Sequence, residues 1–234
     1  HVHIDEMDKE KNECILLPNF RVPTHIHSRS ANAKWLTEIA HRNPIWIHTK
    51  DANRIGVDNG DLLKVKTEIG WFVDKVWVTE AIKPGVVACS HHIGRWRRQQ
   101  DEGNRFMTNT VDIKSLGDGK WKMSTVSGVE SWQTNDPDTS RIWWRDGGVH
   151  QNITHATNPD PISGAHCWLQ KVSISKPGPN EDYGDIFVDT NRSFEHFKKW
   201  NEWAKKRETH PNGLRRPLWM ARPLTPQKDQ FYLK

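Results

Sequence analysis

The chain has 234 residues, of which 35% are hydrophobic and 27% charged, with a formal charge of +5. That length suits one sizeable domain with extensions, and no apolar run reaches the roughly 18 residues that a bilayer-spanning helix needs. The three cysteines, Cys14, Cys89 and Cys167, are widely spaced and form no CxxC pair, which excludes a disulfide framework and any zinc or iron–sulfur site built from cysteine alone.

The first thirteen residues are polar, lack an apolar h-region and do not begin with Met, so the expectation is a frayed lead-in on a chain that was processed or cut from something longer. Ile15-Leu16-Leu17 reads as a short buried strand stopped by Pro18. A His- and Arg-rich loop, RVPTHIHSRSAN (21–32), follows. AKWLTEIAH (33–41) has helical periodicity, started by Ser30 or Asn32 and ended by Asn43-Pro44. Ile45-Trp46-Ile47 is a strand, and Thr49 to Ile55 a short helix closed by Gly56, a residue suited to a left-handed cap. Asp58-Asn59-Gly60-Asp61 turns the chain into a strand from Leu62 to Thr67. Gly70 leads into a second strand, Trp71 to Val78. Lys83-Pro84-Gly85 has type II turn chemistry, and Val86 to Cys89 is a further strand that runs into Ser90-His91-His92-Ile93-Gly94-Arg95-Trp96.

Residues 97–142 read as an insertion, with a hairpin around Gly117-Asp118-Gly119. A donor-rich loop spans 149–164, Trp168 to Ser175 is a strand with Val172 and Ile174 on one side, and KPGPNEDYGD is loop. Ser193 is positioned to cap a helix through Arg207 with a stripe of Phe194, Phe197, Trp200 and Ala204. The tail, 208–234, carries Pro211, Pro217, Pro223 and Pro226 and reads as extended. Short strands, brief helices and tight turns predict a small β barrel or sandwich. Thirteen tryptophans supply large apolar area to a core otherwise short of it, or to packing between loops.

Three loops gather the chemistry-bearing residues. The first offers Arg21, Thr24, His25, His27, Ser28, Arg29 and Asn32; the second Ser90, His91, His92 and Arg95; the third His150, Gln151, Asn152, Thr154, Asp160 and Ser163. Arginine and histidine suit phosphate, and amides suit the edges of a heterocycle. If a barrel brought these strand ends to one rim, the set would suit a large, polar, anionic cofactor. His25-x-His27 with His91-His92 also permits a protein-ligated metal. The basic residues are too dispersed for a nucleic-acid partner, and no GxSxG, P-loop or GxGxxG occurs.

The stretch 43–96, with its strand, short "DA…GI" helix, DNGD turn at 58–61, paired strands and "VT…I.PG" turn, resembles the molybdopterin-dinucleotide-binding domain of the dimethyl-sulfoxide-reductase family. RVPTHIHSRSANAKWL (21–36), GGVHQNITHATNPDPISG (147–164) and LRRPLWMARPL (214–224) resemble further segments of that family. The resemblance implies a mainly β fold, a six-stranded double-psi β barrel with short flanking helices and an extended C-terminal tail. The barrel would occupy 14–176 and include the insertion at 97–142. The helix and Pro-rich tail, 177–234, would lie on the barrel or a partner.

It further implies one molybdopterin guanine dinucleotide of a two-cofactor molybdenum or tungsten site. Arg21, His25, His27 and Ser28 would face the pterin and phosphates, with His91 and His92 from the second loop and Asn152 from the third. Arg29, Arg95 and Ser163 stand beside them. The metal would sit on cofactor sulfurs, so this segment needs no ligand cluster. Family members carry their metal ligand and first-cofactor domains upstream, and these do not fit in the twenty residues before Arg21. The implied partners are an iron–sulfur electron-transfer subunit and the remainder of a catalytic subunit, with no membrane span and no nucleic acid. Two other readings stay open: a structural or interaction module without cofactor, and a small His-ligated metalloenzyme.

Overall fold

The structure, a computed structural model, describes residues 6–18, 43–91, 111–125, 148–149, 151–156, 165 and 168–205. Alternating burial marks several of its strands, and short apolar runs form others. β1 is Glu13–Leu17, β2 Ile45–Ile47, β3 Leu62–Lys66, β4 Gly70–Val78 and β5 Val86–Ala88. β6 (Val111–Gly117) and β7 (Lys120–Thr125) form a hairpin, followed by β8 (Gln170–Ser175) and β9 (Ile186–Asp189). In β8 the buried positions are Gln170, Val172 and Ile174, every second residue, as a strand with one face in a core requires.

The strand order β2-β5-β1-β8-β3-β4, with β4 pairing back to β2, closes a six-stranded barrel. This is the mainly β architecture that the sequence predicts. β1 runs parallel to β5 and β2 parallel to β4, while the other barrel pairs are antiparallel. Closure gives each of the six strands two neighbours, and the first residues of β4, which run past β2, keep an edge of their own. β9 adds to β4 outside the ring, and the β6–β7 hairpin extends from β9.

The core is aliphatic. Leu16, Ile45, Ile47, Leu63, Val65, Phe72, Val73 and Val87 are fully buried. Filling it by tryptophan does not occur among the described residues: Trp46 and Trp71 are half-buried, and Trp77, Trp121 and Trp168 lie exposed. A six-stranded barrel is narrow, and branched side chains of moderate volume fill its interior where indoles would overpack it.

Local chemistry sets the turns. Helix α1 (Thr49–Ile55) starts at His48, whose Nδ1 accepts from the Lys50 N–H at 3.0 Å, and ends at Gly56 in the left-handed region. Pro84-Gly85 forms the type II turn, with Gly85 at φ 81° and the Val86 N–H donating to the Lys83 carbonyl. Asp51, almost fully buried, joins helix to turn by accepting from the Gly85 N–H at 2.7 Å and from Arg54 at 2.8 Å.

β9 was not expected from the sequence, which read 176–185 as loop and went directly to a helix. The helix α2 begins at Thr190 and runs to Lys205. Its cap is Asp189, whose Oδ1 accepts from the N–H groups of Asn191 and Arg192, so Ser193 lies inside the helix. Asp189 already stands at the end of β9 with its carboxylate beside the free amides, and it preempts the later serine. Two compact units result: one comprises 1–156 with 168–192, the other 157–167 with 193–234. The helix predicted over 33–41 and the tail at 208–234 lie outside the described residues. No described helix is long and apolar enough to cross a membrane.

Candidate functional site

The C-terminal ends of β1 and β5 lie side by side because the two strands are parallel, with Leu17 opposite Ala88. Beyond them the chain continues as Pro18 and as Cys89-Ser90-His91. The Cys89 N–H donates to the Leu17 carbonyl, and the His91 N–H donates to the Pro18 carbonyl at 3.0 Å. The His91 ring makes a second bond to that oxygen through Nδ1 at 2.7 Å. A carbonyl only accepts, so Nδ1 carries the proton. The stems of the first and second loops are thereby fixed to each other.

The third loop joins them through a single 3-10 turn, Gln151–Thr154. Gln151 is fully buried, and its Nε2 donates to the Cys89 carbonyl at 2.6 Å. Asn152 Nδ2 donates to the His91 carbonyl at 3.2 Å. The Thr154 hydroxyl donates to the Gln151 carbonyl, and its own carbonyl accepts from Thr67 at 2.6 Å. On the far side Asn43, before β2, brackets Ser90: its Nδ2 donates to the Ser90 carbonyl at 2.6 Å and its Oδ1 accepts from the Ser90 N–H at 2.8 Å. Trp168 closes the group, its ring 4.9 Å from that of His91 and edge-on to His155 at 6.4 Å.

Each of these side-chain bonds from Asn43, Gln151 and Asn152 spans dozens of residues in sequence and ends on backbone, so the cluster positions peptide groups as much as side chains. Two acceptors within it, Gln151 Oε1 and Asn152 Oδ1, are buried and have no donor among the described residues. A buried amide oxygen left so costs about 1–3 kcal/mol. The arrangement therefore suits a ligand that presents N–H donors, such as the edge of a nitrogen heterocycle.

Of the predicted site residues, His91 and Asn152 are brought into direct contact. Arg21, His25, His27, Ser28, Arg29, His92, Arg95 and Ser163 lie outside the described residues. Among the described residues no group of three or more His, Cys, Asp or Glu could hold a metal ion. Asn43 and Gln151 are the members that the sequence did not single out. Asn43 read as a helix stop before Pro44, and Gln151 as one donor among many. The run of polar residues His150-Gln151-Asn152 was the only signal.

Cys14 and Cys89 are not nucleophiles here. Burial, aided by the Asp51 carboxylate, pushes the Cys14 thiol up to about 11. Burial also raises that of Cys89, next to the site, and Asp74 adds to the effect.

Several known proteins share segments of this chain. Residues 15–117 match the family model described as Molydopterin dinucleotide binding domain. The chain is 37% identical over 79 residues to a dimethyl sulfoxide reductase catalytic chain of Halobacterium salinarum; the match covers 34% of this chain and 9% of that protein. Acetylene hydratase from Pelobacter acetylenicus matches 72% of this chain and 19% of its own, at 16% identity and a TM-score of 0.45.

Proposed function

Because the chain carries a molydopterin dinucleotide binding domain of the dimethyl-sulfoxide-reductase family, we propose that it holds one molybdopterin guanine dinucleotide of a two-cofactor molybdenum or tungsten site in a larger catalytic assembly. The observation that carries this reading is the junction of Pro18, His91 and Asn152 at one end of the barrel, with two buried amide oxygens beside it that lack donors among the described residues. Pterin and guanine rings offer N–H groups along their edges, which is the complement these oxygens require. When bound, the cofactor supplies the redox-active metal through its own sulfurs.

What this chain's residues do follows from their chemistry. Asn152, the partly exposed member of the pair, accepts from the heterocycle through Oδ1, and the enclosed Gln151 holds the Cys89 carbonyl beneath it. His91, its Nδ1 proton committed to Pro18, keeps its ring oriented against Trp168. Arg21, His25, His27 and Ser28 reach the pterin and phosphate side, with His92, Arg29, Arg95 and Ser163 completing the contact. Arginine forks match the pyrophosphate. The partners on this reading are an iron–sulfur electron-transfer subunit and the remainder of the catalytic subunit.

The test uses the native assembly that contains this chain. Metal analysis and fluorescence of released, oxidised pterin are measured for wild type and for Asn152→Ala. Stoichiometric pterin with molybdenum or tungsten, reduced severalfold by Asn152→Ala while the assembly stays intact, is the expected outcome. A folded assembly with neither pterin nor metal overturns the reading in favour of an interaction module, and a bare metal without pterin in favour of a His-ligated site.

A further inference from the structure

A second concavity is formed where β9 and the β6–β7 hairpin extend the sheet beyond the barrel. It is a cavity of about 320 Å³, lined by Lys64, Lys66 and Thr67 of the β3 end, Trp71 of β4, Lys120 of β7 and Arg192 among others. That volume is in the range of small-molecule sites. It adjoins the 3-10 turn through Thr67, which bonds the Thr154 carbonyl, but neither Gln151 nor Asn152 lines it, and the cofactor reading makes no use of it.

Its charges are unevenly answered. Lys64 pairs with Glu181, and Arg192 lies 3.9 Å from Asp189 while it also donates to the Glu68 carbonyl. No ion pair joins Lys66 or Lys120 to a carboxylate among the described residues; Asp189, opposite Lys120 in the ladder and also lining the cavity, spends one carboxylate oxygen on the start of α2. Two ammonium groups facing one concavity repel each other and favour a dianion between them. The aromatic wall is Trp71 and Phe187, cross-strand partners stacked at 5.9 Å with 15° between their planes.

The walls are held in place before any ligand arrives. The β6–β7 turn is latched to the start of α2: the Thr190 N–H and hydroxyl both donate to the Gly119 carbonyl, and Asn191 donates to the Asp118 carbonyl at 2.7 Å. This fixes the backbone of Lys120. The end of β3 is fixed by Thr67, which bonds Thr154 and Gly70. Gly70 is needed there, since a β-carbon would overlap the Phe187 carbonyl. Rigid walls with cationic tips on flexible stems recognise a phosphate group, and the concave shape favours a compact molecule over a flat protein partner.

We propose that this cavity binds a small phosphate monoester with an aromatic body, the phosphate between Lys66 and Lys120 and the ring against Trp71 and Phe187. Calorimetric titration of the full chain tests it with phenyl phosphate, inorganic phosphate and phenol as probes. Phenyl phosphate is expected to bind with a Kd below about 1 mM, at least tenfold tighter than either fragment. Affinity should weaken as pH falls through about 6, where the dianion is lost. The double variant Lys66→Ala/Lys120→Ala alters two exposed side chains, and its circular dichroism should match wild type while Kd rises at least tenfold. Asn152→Ala should leave Kd unchanged, which separates this site from the cofactor face. Absence of binding at about 10 mM, equal affinity in the double variant, or loss on Asn152→Ala alone would each overturn the site. Equal binding of phosphate and phenyl phosphate would overturn the aromatic half.

Discussion

Asn152 donates its side-chain amide to the peptide carbonyl of His91, 61 residues earlier in the chain, at 3.2 Å. One residue before it, Gln151 makes the parallel bond to the Cys89 carbonyl at 2.6 Å. Two neighbours on one 3-10 turn thus hold two alternate peptide groups of the segment that leaves β5. They differ in burial: Gln151 is fully enclosed and Asn152 only partly so. Truncation should separate them. Asn152→Ala is expected to cost about 0.5–1.5 kcal/mol, the net worth of one hydrogen bond. Gln151→Ala should cost about 2–4 kcal/mol, because it opens a cavity and removes the donor from a buried carbonyl. Urea unfolding of the two variants measures the difference; equal midpoints would show that the turn does not anchor the strand end.

Gly70 controls the attachment of β9. Any β-carbon at this position meets the backbone of Phe187, which cannot move aside without breaking the β4–β9 ladder. Gly70→Ala should therefore destabilise the chain by about 1–3 kcal/mol and raise amide exchange in Ile186–Asp189, with protection in β1 and β5 unchanged. Uniform loss of protection across the barrel would refute this local account.

The thiols of Cys14 and Cys89 are predicted to be inert in the native state. With Cys14 raised to about 11 by burial, roughly one molecule in a thousand carries the thiolate at pH 8, and access is closed as well. Iodoacetamide at pH 8 should leave both peptides unmodified by mass spectrometry and label both after unfolding in guanidinium. Native labelling of Cys89 would mean that the site end of the barrel opens readily.

Glu181 supplies a pH signature. Burial alone would raise its carboxyl, but the Gly178 N–H at 2.7 Å and the Lys64 ammonium outweigh that and hold it below the usual value of 4.5. A lowered folded value means that the ionised form is favoured by folding. Its contribution is present above the usual carboxylate range and is lost as pH falls through the depressed value. Glu181→Gln should reduce stability at pH 7 and flatten the decline between about pH 5 and 3, as read from thermal melts. An unchanged slope would assign the acid sensitivity to other carboxylates such as Glu13, held down by Lys171.

The barrel strands β1 to β5, α1 and the turns at Gly56 and Gly85 were all legible in the sequence, because each is fixed within a few residues by a short apolar or alternating run, a left-handed glycine or a Pro-Gly pair. β9 was not. Its four residues, Ile186–Asp189, follow a Gly- and Pro-rich stretch and carry too few alternations to register as a strand. Only the exposed edge of β4 makes them one. The site divides in the same way. His91 and Asn152 were chosen from resemblance and donor chemistry, whereas Asn43 and Gln151 gained their roles from bonds to peptides 47 and 62 residues distant.

Local order, the residue types available to a ligand and the family of the segment were determined by sequence alone, since they depend on short-range sterics and on side-chain chemistry. Which strand ends meet and which carbonyls the amides hold were decided only by barrel closure, and which lysines share a cavity only by the pairing of β9 and β7 beyond it. Pairing β2 with β4 and β1 with β5 brings distant residues within hydrogen-bond reach, and no local pattern encodes that proximity.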